Sequence, residues 1–184
     1  LEGRQQVMNK AKMNALLIRV KQGDNDAFAQ LYNQTKKGIY AFLYTYYNNV
    51  WDTENAMQST YLRVKQYAHT YTENTDARAW LFQIAKNFAL NELKKQKRET
   101  VVDESTLVSV GGKTETPTGE VFEALNKALD ETEKQIVILH VLWGYKHREI
   151  AVELQMPLGT VLSKYNVSVK KLREYLIKGD NANV

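Results

Sequence analysis

The run Glu149-Ile150-Ala151, then Met156-Pro157, then Gly159-Thr160-Val161-Leu162-Ser163-Lys164 constrains this chain more than any other stretch. Ile150, Ala151 and Leu154 recur on one face of a short helix over 149–154. Pro157 supplies the fixed φ of a first helical position, and Gly159 or Thr160 opens a second helix. A short helix, a tight turn and a longer helix make a helix-turn-helix, whose second helix enters the major groove, where base edges are distinguishable. On that helix Val161, Tyr165, Ser168, Leu172 and Leu176 form the inward stripe. Thr160, Ser163, Lys164, Asn166, Val167 and Lys170 are the candidate DNA-contacting residues. Asparagine bonds adenine bidentately, valine touches a thymine methyl and lysine meets phosphate. The set therefore predicts a preference for A·T-containing sequence. The competing reading gives Leu162 and Val167 to a protein interface, with an inhibitor as partner.

The rest of the chain predicts an all-α fold. Proline is limited to Pro117 and Pro157, and no stretch alternates over enough residues to read as a strand. A helix from Met13 ends at Gly23. Asp24 or Asn25 caps the next, which carries Ala27, Phe28, Leu31 and Tyr32 and runs on through Ile39, Phe42, Leu43 and Tyr46. Trp51 and Thr53 begin a third helix, ending near Tyr67. A polar loop follows, and Thr75 or Asp76 caps a long helix to Arg98. Periodicity then disappears over 99–119, where Gly111, Gly112 and Pro117 mark a flexible linker. A free chain of about twenty residues spans roughly 25 Å. A second helical block starts near Glu120, with Val121, Leu125, Ala128 and Leu129 on one face. Asp130 or Thr132 caps the helix that precedes Gly144. Domains are thus expected at 13–98 and 120–178, joined by 99–119.

Charge distribution says more than the net +4. Lys94-Lys95-Gln96-Lys97-Arg98 is nearly all basic, 99–120 carries five acids against Lys113, and 160–178 carries five bases against Glu174. Basic helix ends flanking an acidic loop suit a protein that meets polyanion at two places. Favourably placed cations at helix C-termini are the plainer explanation. With no cysteine, disulfides and thiolate metal sites are excluded. His69, His140 and His147 have no acidic ligand set around them, and no nucleophile or phosphate-binding motif appears. No enzyme, metal or cofactor is expected. No apolar run approaches a membrane span and no signal peptide opens the chain, so a cytoplasmic protein without membrane insertion is expected. Residues 1–7 read as a remnant ahead of a natural start at Met8 or Met13.

Two further helical faces carry candidate contacts. On 53–67, Met57, Thr60, Tyr61 and Val64 make the core stripe. Asn55, Gln58, Ser59 and Leu62 lie opposite. A leucine pointing outward among uncharged polar residues suits docking on a partner, whereas a merely solvated face usually carries more Lys and Glu. On the helix after Asp76, Leu81, Ile84, Ala85 and Phe88 face inward. Gln83, Lys86, Asn87, Lys94 and Lys97 share the other side as a mostly basic stripe, able to meet phosphates and exposed bases. In the preceding loop His69, Tyr71 and Asn74 supply rings and an amide, groups that can stack on or bond to unpaired bases. Trp80 stacks likewise or belongs to the core.

Four motifs in order resemble an extracytoplasmic-function (ECF) sigma factor of the sigma-70 family. They are Gln22-Gly23-Asp24 with Ala27-Phe28, then Glu54-Asn55-Ala56-Met57-Gln58 with Tyr61-Leu62. Trp80-Leu81-Phe82-Gln83-Ile84-Ala85-Lys86-Asn87 follows, and Glu149-Ile150-Ala151 with Gly159-Thr160-Val161 closes the series. The resemblance implies two helical domains, a sigma region 2 bundle and a sigma region 4 helix-turn-helix. It implies core RNA polymerase as partner of Asn55, Gln58, Ser59 and Leu62, a −10 element over the loop and long helix, and a −35 element under the recognition helix. An anti-sigma factor is a further partner expected from the family, and the free protein is expected to be a monomer. The family usually has aspartate at Asn55, glutamate at Ser59, basic residues at Leu162, Val167 and Val169, and arginine at Lys164. Polymerase contact here therefore rests less on charge and more on Gln58 hydrogen bonds and Leu62 burial. Two other functions stay open: a helix-turn-helix regulator acting without polymerase, and a sigma-like interaction protein that has lost promoter readout.

Overall fold

The computed structural model describes residues 10–73, 75–99 and 120–181. Among them are eight α-helices, a short 3-10 turn and no strand: α1 Lys10–Lys21, α2 Asn25–Tyr47, α3 Val50–Tyr67, the turn Ala68–Thr70, α4 Ala77–Glu99, α5 Glu120–Ala128, α6 Glu131–Val141, α7 His147–Glu153 and α8 Leu158–Asn181. Helices α1–α4 pack into one unit and α5–α8 into another. Asn74 and the linker beyond Glu99 lie outside the described residues, as do the side chains of Lys97 and Val121.

In the first unit α2, α3 and α4 are each started by a named side chain. Met13, Leu16, Leu17 and Val20 place the apolar stripe of α1 against the core. Gly23 then takes φ 88°, a left-handed value that costs glycine little, and its N–H closes on the Val20 carbonyl at 2.9 Å. Asp24 caps α2 by accepting the Ala27 N–H at 2.9 Å, while Arg19 holds its other oxygen. Asn48 ends α2 in the left-handed region, and Asn49 caps α3 by accepting the Asp52 N–H.

The long α2 and α3 lie side by side, and their contact contains one buried polar pair. The Tyr61 hydroxyl sits 2.6 Å from Thr35 Oγ1, which also donates to the Leu31 carbonyl. Burial pushes the Tyr61 phenol well above its ordinary value, so it stays protonated. Phe42 of α2 and Phe82 of α4, both fully buried, meet at 4.4 Å between ring centroids.

The start of α4 is supplied from another helix. Asn14 of α1 accepts the Ala77 N–H at 2.9 Å and donates to the Thr75 carbonyl at 2.8 Å. Asp76 accepts the Arg78 N–H and its guanidinium. Burial opposes the Asp76 charge, but the bonds and charge of Arg78, with Lys10 at 3.3 Å, bring its pKa down to about 2.

In the second unit Asp130 and Glu133 form a reciprocal capping box on α6. The core gathers Ala124, Leu125, Leu129, Ile136, Leu139, Trp143, Ile150 and Val161. Gly144 at φ 67° turns the chain toward α7. Between α7 and α8, Gln155 takes a left-handed φ of 53°. Pro157 stands just before α8 rather than in its first turn. Its carbonyl accepts the Thr160 and Val161 N–H groups, so it works as the cap residue and Leu158 begins the helix.

Phe42→Ala should destabilise the first unit by about 3–5 kcal/mol, since it removes a buried ring contact that Phe82 cannot refill. Urea unfolding of the full chain, read by circular dichroism, checks this. A loss below about 1 kcal/mol would show that the core closes over the gap.

Candidate DNA-binding and partner-docking surfaces

The recognition helix α8 divides cleanly between inside and outside. Val161 and Ser168 are buried, and Tyr165 and Leu172 pack on the Leu125–Leu129–Val137 cluster. Thr160, Ser163, Asn166, Val167 and Lys170 are exposed over the first turns of the helix. Lys164 differs from them. It is partly buried on the flank and its Nζ forms a solvent-exposed ion pair with Asp130 of the α6 cap at 3.2 Å. Lys171 makes the second tie, donating to both oxygens of the buried Glu133 at 2.7 and 2.9 Å. Glu133 meanwhile accepts the Asp130 N–H. The inward stripe sets which side chains of α8 face outward, and these bonds tie its flank to α6.

On α3, Asn55, Gln58 and Leu62 are exposed and Ser59 half-buried, with Thr60, Tyr61 and Val64 on the core side. Trp51, one turn before Asn55, is also exposed and shares that outward stripe. The sequence reading missed it, although its i−4 spacing from Asn55 was visible.

On α4, Asn87 and Lys94 are exposed, while Gln83 and Lys86 are half-buried, with Lys86 Nζ 6.0 Å from the Phe82 ring centre. Asn91 and Arg98 are exposed at spacings that extend the same stripe, and neither stood out from the sequence pattern. The loop before α4 requires a correction. Tyr71 is 1% exposed, its ring edge lies against Trp80 at 5.8 Å and its hydroxyl donates to the Thr75 carbonyl. A ring held this way is a wedge under the loop and offers no face to a base. Trp80 is half-buried by the same packing. His69 remains exposed, with Nδ1 2.9 Å from the Gln66 carbonyl. It lines a cleft of about 210 Å³ with Lys21, Asn25, Phe28 and Lys65.

Where α6, α7 and α8 meet, the fold assembles three rings that sequence spacing did not connect. His140 and His147 stack at 4.3 Å, and each presents its ring to Tyr165 at 4.8 Å. His140 Nδ1 lies 2.8 Å from the Tyr145 carbonyl, while the buried Nε2 of His147 has no partner. Among the described residues no group of three or more His, Cys, Asp or Glu could hold a metal ion. No helix among them is long and apolar enough to cross a membrane.

Comparison with known proteins agrees with this layout. Residues 31–99 match Sigma-70 region 2 and residues 120–172 match Sigma-70, region 4. The chain is 25% identical over 177 residues to the ECF RNA polymerase sigma factor BldN of Streptomyces coelicolor, covering 91% of this chain and 67% of that one. It is 24% identical to SigW of Bacillus subtilis, covering 86% and 93%. In fold it resembles RpoE from Bartonella quintana, solved with the anti-sigma factor NepR, with a TM-score of 0.58, 21% identity and coverage of 81% and 96%. CnrH, solved with the cytosolic domain of CnrY, gives 0.59 at 18% identity, covering 91% and 98%. A region 2 bundle followed by a region 4 helix-turn-helix defines a promoter-recognition subunit of RNA polymerase. The chain belongs to the sigma-70 family, in its extracytoplasmic-function group. It is an alternative sigma factor, directing promoter recognition with RNA polymerase.

Burial, and then the neighbouring His140, lower the His147 pKa below the ordinary 6.5. Unfolded, His147 takes up its proton near 6.5; folded, it does so only at lower pH. The unfolded chain therefore binds more protons in that interval. Its contribution to stability is complete above 6.5 and is lost as pH falls from there through the folded value. Thermal melts of the full chain at about pH 7.5 and about pH 5.5 should show a smaller acid-induced drop for His147→Phe, which keeps the stacked ring. Equal drops in both proteins would place the sensitivity elsewhere.

Proposed function

We propose that the two units divide the work of initiation, with residues 13–98 meeting polymerase and the −10 element, residues 120–178 reading the −35 element, and 99–119 linking them. Asn55, Gln58, Ser59 and Leu62 form the polymerase-docking face. Gln83, Lys86, Asn87 and Lys94 follow the −10 strand with His69. Lys97 and Asn74 complete that set on sequence grounds. Trp80 serves chiefly as packing for the loop, and Tyr71, buried beneath it, takes no part in base stacking.

The observation that carries the reading is the exposed set Ser163, Asn166, Val167 and Lys170 on α8, within the stretch that matches region 4. An amide, a small hydroxyl, a branched apolar group and a single cation suit A·T-containing base edges flanked by phosphate. Lys164, held by Asp130, supports the orientation of α8 more than it contacts DNA. The protein works as a non-enzymatic initiation factor in the cytoplasm, with the bond-forming chemistry left to polymerase. An anti-sigma factor is its regulatory partner, a reading supported by the resemblance to a sigma factor solved in complex with one.

Transcription by core RNA polymerase plus this chain on a randomised promoter library should enrich one two-element sequence. Asn166→Ala should relax preference at one base pair of the upstream element, by about 1–3 kcal/mol of discrimination. Uniform loss of activity on all sequences would remove Asn166 from readout. No enrichment, with polymerase bound, would favour a sigma-like protein that no longer reads promoters.

A further inference from the structure

Trp51, Asn55, Gln58, Leu62 and Gln66 recur on α3 at i, i+4, i+7, i+11 and i+15, and every one of them is exposed. At 100° per residue they fall within a band of about 80° on the helix surface. The two apolar members stand at or near its ends, about 16 Å apart by helical rise. Trp51 is 55% exposed and Leu62 71%. The three residues between and beyond them are all neutral amides.

No charged side chain belongs to this band. Those of α3 lie on its flanks, occupied within the protein. Asp52 accepts from the Asn49 amide. Glu54 is half-buried. Arg63 lies over the Phe88 ring at 5.1 Å. Lys65 lies over Phe28 at 5.7 Å and donates to Asn25 at 3.1 Å. A helix surface facing only water is ordinarily covered with Lys and Glu. An indole and a leucine on one neutral band have the composition of a protein interface, which is depleted of charge and enriched in aromatic anchors.

We infer that α3 binds core RNA polymerase through two apolar anchors, Trp51 and Leu62, clasping the neutral amide row between them. The inference rests on the docking face proposed above, with which the band is continuous through Asn55, Gln58 and Leu62. It adds Trp51 as an anchor and makes burial, not charge pairing, the source of affinity. Screening by salt weakens exposed charge pairs but leaves apolar burial largely intact. Association with polymerase is therefore nearly insensitive to salt.

The test is titration of the fluorescently labelled full chain with bacterial core RNA polymerase between about 50 and about 500 mM NaCl. The dissociation constant should change less than about threefold over that range. Trp51→Ala and Leu62→Ala should each weaken binding by about tenfold or more, and Trp51→Phe should recover most of the loss. Because both side chains are exposed, melting curves of the variants should superimpose on the parent. Tight binding that weakens steeply with salt and ignores Trp51→Ala would overturn the anchors while leaving polymerase docking intact. No binding at any salt by the folded chain would overturn docking as well. Self-association of the chain that Trp51→Ala abolishes, with polymerase affinity unchanged, would overturn the anchors too and assign the band to a second copy.

Discussion

The carboxylate of Glu133 is the interaction on which the DNA-reading half of the molecule turns. It is nearly buried, yet it serves two elements at once. One oxygen accepts the Asp130 N–H to begin α6, and both accept from Lys171 of α8. Burying an acid is unfavourable unless its lone pairs are filled, and here they are. Because Lys171 lies two turns beyond Lys164, which reaches Asp130, α8 is held at two points along one edge. Rotation about its own axis would break both bonds. The inward stripe of α8 aims Asn166 and Val167 outward, and the capping box ties the flank of that helix to α6.

The first unit uses the same logic with different residues. Asn14 satisfies an orphan N–H of α4 from α1, and Asp76 holds Arg78 and Lys10 beside it. Helix starts are where backbone donors are left over, so borrowing a side chain from a neighbouring helix joins the two elements at a fixed position. The remaining packing is largely apolar, with the Thr35–Tyr61 hydroxyl pair buried within it. A core surrounded by only four helices leaves most of each helix circumference outside, which is why one small unit offers both the α3 band and the α4 stripe.

Much of this was legible in the sequence because helices write their inner faces at a 3.6-residue period. The caps Asp24 and Asp130, the turn at Gly23 and the inward positions of α8 follow from local signals, and the structure shows each of them. What was hidden depends on partners distant in sequence. Asn14 lies some sixty residues from the bonds it makes. Tyr71 looked available in a polar loop, but Trp80 from the next helix covers it. His140 and His147 are separated by a turn, and only Gly144 and the return of α7 bring their rings together. Lys164, a candidate DNA contact by sequence, pairs with Asp130 of the α6 cap, which lies some thirty residues away. Trp51 is the different case: its spacing was in plain view, but it was read as a helix start rather than a face.

These placements bear on how strongly each surface can act alone. Affinity for duplex DNA comes largely from cations that displace counterions at phosphates, so every lysine engaged elsewhere subtracts from it. Among the described side chains of α8, the cations of Lys170 and Arg173 are exposed, and Lys170 lies 4.0 Å from Glu174. With Lys164 and Lys171 paired to Asp130 and Glu133, fewer of the described cations of α8 are left to hold it on a groove. Such a helix discriminates sequences only when something else keeps it near DNA. A polymerase contact of the kind proposed for α3 would supply that tether at salt concentrations where charge contacts fade. On the proposed docking, the neutral band of α3 would supply the local concentration and α8 the choice of sequence.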